Sequence, residues 1–323
     1  MQIRVRCSSM AVTVANSPTR RNRMQFTGKL DEVDSLVDWV GCFRTAPLHR
    51  IQTTSGPLGA EVYGILTPRI EVRDAAFRAG IIMTSDDPFP RLGMAIGVTG
   101  NVQLLGKMLT TSNMGYLTGQ HGMIARLEPG SRWCNISFDW DLIRLTAEAH
   151  DYVVPDSDHS CSMPVRTHNT LKNLLCRTAR GLQYANVVDV ELEDELARAF
   201  LRALNSGSKP RKMQRGRQWR TVHRGVDFIL EEYSNPITVT DLCRIAGVSE
   251  RNLEYLFRSA TGFTMQQYLM NHRLHRARAM LMKGEYEQVK DVAIACGIPH
   301  AGRFSQYYKR LFGQLPRETL LAQ

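Results

Sequence analysis

None of the seven cysteines (Cys7, Cys42, Cys134, Cys161, Cys176, Cys243 and Cys296) stands in a C-x-x-C pair. That spacing argues against a zinc module and against the disulfide framework of a small secreted domain. No apolar run approaches the roughly 20 residues a bilayer span requires. The first 25 residues carry arginines but no continuous apolar stretch, so they do not read as a signal peptide. They read as a disordered leader, or as sequence upstream of a start at Met10 or Met24. His49, His121, His150, His159 and His168 lie far apart, with no H-x-H and no carboxylate set to complete a metal site. No metal, cofactor or catalytic residue is expected, and the location implied is reducing, cytoplasmic and away from membranes.

Acid is scarce in one part of the chain only. Residues 1–204 hold 22 Lys/Arg against 21 Asp/Glu, whereas residues 205–323 hold 19 against 10. A neutral part joined to a basic part points to a polyanionic partner for the basic part alone. At 323 residues, two domains are the expected organisation.

The basic part contains one short unit twice. Val239, Asp241, Leu242, Ala246, Gly247 and Val248 recur at an offset of 50 as Val289, Asp291, Val292, Cys296, Gly297 and Ile298. Beyond the glycine the offset becomes 51, pairing Leu253, Phe257, Arg258 and Gly262 with Phe304, Tyr308, Lys309 and Gly313. Self-similarity at fixed offset marks a repeated structural unit. Asp241 and Asp291 suit the first turn of a helix, where a carboxylate meets the positive end of the dipole. Thr240 is the expected N-cap, and Gly247 and Gly297 fit a left-handed turn. Ser249 can start a second helix with Leu253, Leu256 and Phe257 inward. The unit is therefore a helix-turn-helix, expected at 238–260 and 288–312, whose second helix suits a DNA major groove. Between the copies, Thr264-x-x-Gln267 is a capping box. It opens a helix to about Met282, roughly 27 Å long at 1.5 Å per residue.

These two motifs, with Gly-Arg-Phe-Ser at 302–305 and Leu-Phe-Gly-x-x-Pro at 311–316, resemble the AraC/XylS family of bacterial transcriptional regulators. The resemblance covers about 219–320. Pro299 departs from the family pattern where a capping residue is usual. Leu315 departs where a small hydroxyl residue is usual, leaving the last helix without a side-chain cap. By position in the family motif, Arg251, Glu254 and Tyr255 project from the first reading helix, and Ala301, Gly302, Arg303 and Gln306 from the second. Arginine suits guanine, glutamine suits adenine and glutamate can accept from cytosine. Arg258, Lys309 and Arg310 lie farther along and suit phosphate. The resemblance implies double-stranded promoter DNA as partner, a nucleoid-associated location, homodimerisation, and, for an activator, RNA polymerase.

The front part resembles only the β-rich regulatory domains that some members carry. Leu30–Cys42 reads as a short amphipathic helix, and from about Ile51 the period becomes two. Gly100-Asn101 reads as a hairpin turn, Glu128-Pro-Gly130 as another turn, and Asn135–Leu142 as an alternating strand. Many short strands imply a cupin-like sandwich or barrel. Helical period returns with the stripe Leu171, Leu174, Leu175, Ala179, Leu182, then Leu192, Leu196, Ala199, Phe200, Ala203. These stripes either support a dimer or cover an open sheet face. The expected whole is an α+β chain. It has a leader at 1–25, a regulatory or dimerisation domain at 26–204, a basic linker at 205–217 and an all-α DNA-binding domain at 218–323.

Two other functions compete. A cupin-type barrel could be an enzyme, but the histidines do not converge. Some relatives fuse the DNA module to a methyltransferase with a zinc-bound cysteine set, which these cysteines do not match. Alternatively the front domain answers to a protein signal rather than a small-molecule effector. Inward residues such as Met94, Ile96, Phe138 and Trp140 serve any β core, so no ligand-contact residue is assigned.

Overall fold

Alternation of apolar and polar residues builds the front part, and a return to helical period builds the rest. The structure, a computed structural model, describes residues 10–14, 24–30, 49–85, 91–118, 122–154, 156, 159–181, 190–206, 211–212 and 217–322. Among the described residues the strands are β1 (Met10–Val14), β2 (Met24–Leu30), β3 (His49–Gln52), β4 (Ala60–Leu66) and β5 (Ile70–Phe77). They continue as β6 (Ile81–Ser85), β7 (Leu92–Thr99), β8 (Val102–Leu104), β9 (Lys107–Leu109) and β10 (Asn113–Leu117). The last four are β11 (Met123–Leu127), β12 (Arg132–Phe138), β13 (His159–Ser162) and β14 (Arg211–Lys212). The helices of the front part are α1 (Trp140–His150), α2 (Val165–Gly181) and α3 (Val190–Ser206). Those of the basic part are α4 (Arg217–Glu232), α5 (Val239–Ala246), α6 (Glu250–Thr261), α7 (Met265–Lys283), α8 (Val289–Ala295), α9 (Ala301–Phe312) and α10 (Pro316–Leu321). The fold is α+β, and among the described residues no helix is long and apolar enough to cross a membrane.

Two sheets pack face to face. One runs β1-β2-β4-β5-β12-β7-β10-β13-β14, the other β3-β6-β11-β8-β9. Because side chains alternate along a strand, each sheet has two faces to cover. Val62, Ala75, Phe77 and Trp133 meet Ile81, Met83, Leu104 and Leu127 between the sheets. On the other face of the larger sheet, Ile70, Val72, Ile136 and Phe138 lie under Leu171, Leu175, Leu196 and Phe200. Leu182 lies outside the described residues; the rest of the two stripes on α2 and α3 is buried or partly buried within one chain, as a cover for the open sheet face.

The outer face of the smaller sheet is covered by the basic part. Ile51, Ile82 and Ile124 join one cluster with Val226, Ile229, Leu253, Phe257 and Leu269. Beside them the Gln52 N–H donates to His275 Nε2 at 2.9 Å, and Gly56 N–H donates to the Leu311 carbonyl at 3.1 Å. Burying an isoleucine contributes roughly 1.5–3 kcal/mol, against about 1 kcal/mol net for a neutral hydrogen bond. The three isoleucines, each 1% exposed, therefore dominate this contact and the hydrogen bonds fix its register.

Several sequence expectations need correction. Gly100-Asn101 does not close a hairpin: β7 belongs to the larger sheet, while β8 pairs with β11 and β9 in the smaller. The turn is a corner between sheets. Gly100 has φ +71°, and a Cβ there would meet Ser131 at 2.7 Å. The alternation of Asn135–Leu142 stops at Phe138, because the Asp139 carboxylate accepts the Asp141 N–H at 2.9 Å and starts α1. Within the expected leader, Met10–Val14 is a strand paired antiparallel with β2. Leu30 ends β2, and the helix expected at Leu30–Cys42 otherwise lies outside the described residues. Within the expected linker, α3 runs to Ser206, and Arg211–Lys212 pairs with His159–Ser160.

Candidate nucleic-acid interface

The two copies of the repeat fold alike, and the offset predicts their burial. Leu242 and Val292 are buried, as are Ala246 and Cys296, Leu253 and Phe304, and Phe257 and Tyr308. Gly247 and Gly297 have φ +69° and +71°, and Gly262 and Gly313 have +79° and +76°. Two helices of 12 residues result, α6 and α9. Each ends where a glycine N–H meets the carbonyl four residues back, Arg258 in one and Lys309 in the other. Gly297 is required twice over: its Cβ would also stand 2.7 Å from the Ser234 carbonyl.

The caps differ from expectation. The first copy starts at Thr238, not Thr240. The Thr238 hydroxyl accepts the Asp241 N–H at 3.2 Å, and the Asp241 carboxylate accepts the Thr238 N–H at 3.1 Å. A second bond from the Thr238 hydroxyl, at 2.6 Å, is the main cause holding the Asp241 carboxyl below its usual range. Gln288 stands at the matching position and forms no side-chain cap. Ser249 precedes α6 without a side-chain bond. The extra residue of the second copy falls in the turn, where Pro299 and His300 precede α9. Leu315 supplies no side-chain cap to α10, yet the helix forms: Glu318 reaches back to the Leu315 N–H at 2.6 Å, and Pro316 starts it.

Between the copies, α7 runs 19 residues from its capping box, Gln267 N–H to Thr264 at 3.1 Å and Thr264 N–H to Gln267 at 2.9 Å. One side of α7 packs into the first copy through Tyr268 and Leu269, and its later turns pack into the second through Leu274, Ala277 and Leu281. Arg273 ties the rod to the turn that follows α4 by donating to the Tyr233 and Asn235 carbonyls at 2.7 and 2.8 Å.

The residues expected to read bases lie on open faces. Arg251 and Tyr255 on α6, and Ala301, Gly302, Arg303 and Gln306 on α9, are exposed, as are Arg258, Lys309 and Arg310. Tyr255, at 69% exposure, is not a core residue. Glu254 is not free: Arg258 donates to its carboxylate at 3.0 Å, so an expected base reader and an expected phosphate contact are brought together. Arg310 lies over the Tyr307 ring at 5.2 Å. Because α6 and α9 begin 51 residues apart, the counterpart of Arg303 is Asn252, and that of Arg251 is Gly302. Asn252 is exposed in the first turn of α6 and was missed, although the offset already pointed to it.

The front part touches the far ends of both helices. The Arg126 guanidinium of β11 fills the space that any side chain at Gly262 would need, and the Gly56 contact sits on the last turn of α9. Among the described residues, three metal-type donors converge at Asp74, Cys134 and Cys176. The Asp74 carboxylate there is already engaged by Arg132 and Arg180.

Comparison with known proteins finds a helix-turn-helix domain in the basic part. A family model described as a helix-turn-helix domain matches residues 242–322. A XylDLEGF operon transcriptional activator of Pseudomonas putida is 28% identical over 171 residues, 52% of this chain and 46% of that protein. The chain carries an AraC-type helix-turn-helix domain. XylDLEGF operon transcriptional activator 2 of the same organism is 35% identical over 99 residues, 30% of this chain and 63% of that protein. A crystal structure of a probable AraC family transcriptional regulator from Rhodopseudomonas palustris is 28% identical and covers 32% of this chain and 95% of that one, with a TM-score of 0.31. The chain thus spans about half the length of the first of these relatives. In this AraC-type domain, the second helix of each copy presents the exposed residues named above.

Proposed function

We propose that this chain is a sequence-specific, double-stranded-DNA-binding transcription regulator of the cytoplasm, acting as an activator through RNA polymerase. In this reading α6 and α9 enter consecutive major grooves of a promoter. The observation that carries it is the duplication: two 12-residue helices with matched burial, their basic and amide side chains outward, at either end of one 19-residue rod. That rod is about 27 Å long, comparable with one turn of duplex, about 34 Å. Arg251, Asn252, Tyr255, Arg303 and Gln306 read base edges, and Arg258, Lys309 and Arg310 meet phosphate. Arg258 also steers Glu254. The division into a regulatory part at 26–204, a linker at 205–217 and a DNA-binding part at 218–323 belongs to this reading.

The front part is the sensing element, for a small effector or a protein signal, and it communicates through its contacts on α6, α7 and α9. Homodimerisation, where it occurs, uses a surface other than the buried stripes of α2 and α3. Selection of binding sites from random duplexes by the full chain tests the proposal. Two short blocks about one helical turn apart are expected; a single block sinks the two-helix reading.

A further inference from the structure

A second site lies far from the reading helices, where α2 crosses the larger sheet. Cys134 on β12 and Cys176 on α2 bring their sulfurs to 3.1 Å. Register places Cys134 directly opposite Asp74 of β5. Arg132, two residues from Cys134 and so on the same strand face, donates to Asp74 through Nε at 2.7 Å and through its terminal nitrogen at 2.5 Å. Arg180, one helical turn beyond Cys176, closes on the same carboxylate and lies over the Tyr63 ring at 4.4 Å. Two guanidiniums therefore face two thiols and one carboxylate. Cys134 is fully buried, whereas Cys176 is half-buried.

We propose that Cys134 and Cys176 form a peroxide-reactive dithiol, oxidised to a disulfide by hydrogen peroxide or an organic hydroperoxide. The Cys176 thiolate attacks the outer peroxide oxygen and breaks the O–O bond. The leaving oxygen takes a proton as water or alcohol, and Cys176 becomes a sulfenic acid. The Cys134 sulfur then attacks the Cys176 sulfur, its proton leaving with the departing hydroxyl as water. Two thiols lose two electrons, which the peroxide gains. The roles follow from the surroundings. The hydrogen bond from Cys134 pulls the Cys176 thiol below its ordinary value; burial and the Asp74 charge oppose it, and Arg132 and Arg180 favour the thiolate. Cys134 is raised, first by that same bond and then by burial. The other buried thiols are unsuited: burial pushes Cys161 up to about 12 and Cys296 to about 11. A cation is a poor alternative occupant, because both arginines already neutralise Asp74.

The test uses the full chain, reduced and freed of reductant, then given one equivalent of hydrogen peroxide. Expected are loss of the mass of two hydrogens, a Cys134–Cys176 crosslinked peptide, and reaction at Cys176 about tenfold or more faster than at Cys161 or Cys296. The oxidised protein should melt at a higher temperature and return on reduction. Cys134→Ser should stop at a dimedone-trappable sulfenic acid on Cys176. Should that buried substitution unfold the chain, Cys176→Ser, at the half-buried position, must abolish the fast reaction while keeping its melting transition. A pair that stays reduced overturns the proposal. So does equal reactivity of all thiols, or stoichiometric zinc that both substitutions release.

Discussion

Asn252 and Arg303 hold one position of a repeated helix with different chemistry, so the two copies should prefer different bases there. Arg303→Ala should weaken cognate binding by about 1–3 kcal/mol and relax preference at a single base pair; an unaltered selected-site logo would refute the role. Lys309→Ala should weaken every sequence alike and flatten the salt dependence by about 0.9 in slope, as expected for one phosphate contact. A loss confined to the cognate duplex would contradict this. His275 gives a pH prediction. Burial, with Arg278 nearby, holds it down at about 4, and Nε2 can accept the Gln52 N–H only while unprotonated. Its folded value lies below the unfolded one, about 6.5, so the unfolded chain binds more protons as pH falls. Stability from this group is complete above about pH 6.5 and is lost as pH drops towards 4. His272, lowered by burial to about 3 with His275, His49, Arg276 and Arg273 around it, acts in the same direction. Urea unfolding of His275→Gln across that range should show a shallower acid slope than the parent.

α7 is the element on which the spacing depends, and its start rests on two reciprocal bonds. Thr264→Ala should cost about 1 kcal/mol, read as a lower urea midpoint with an unchanged slope. A slope change would mean the rod itself had melted. The helices of the basic part were legible in the sequence because each element carries its own period and stop signal. Leu253, Phe257 and Gly262 state the end and inner face of α6 without reference to distant residues. The front part was less legible, since strand partners are chosen at long range. Gly100-Asn101 has hairpin chemistry, yet the strands beside it leave for different sheets. Trp140 and Leu142 continue the alternation of β12 by coincidence, and only the Asp139 cap reveals α1. β6 offered one usable signal. Ile81-Ile82-Met83 is apolar on both faces, and both faces are in fact covered.

At the scale of the molecule, that second covered face is where the front part meets the AraC-type domain. Ile82→Ala should destabilise by about 2–5 kcal/mol and speed amide exchange at Gln52 and Gly56, whose N–H groups bond across the contact. Protection left intact there would mean the contact is not a working joint. Arg126 and Gly56 lie at the trailing ends of α6 and α9 and leave the leading turns open; on the proposed reading, a duplex is gripped without prising the halves apart. In the proposed reading, the front part works as the hand on a pair of callipers. A signal that shifts its grip would register in the operator as the number of spacer base pairs tolerated between the two recognised blocks.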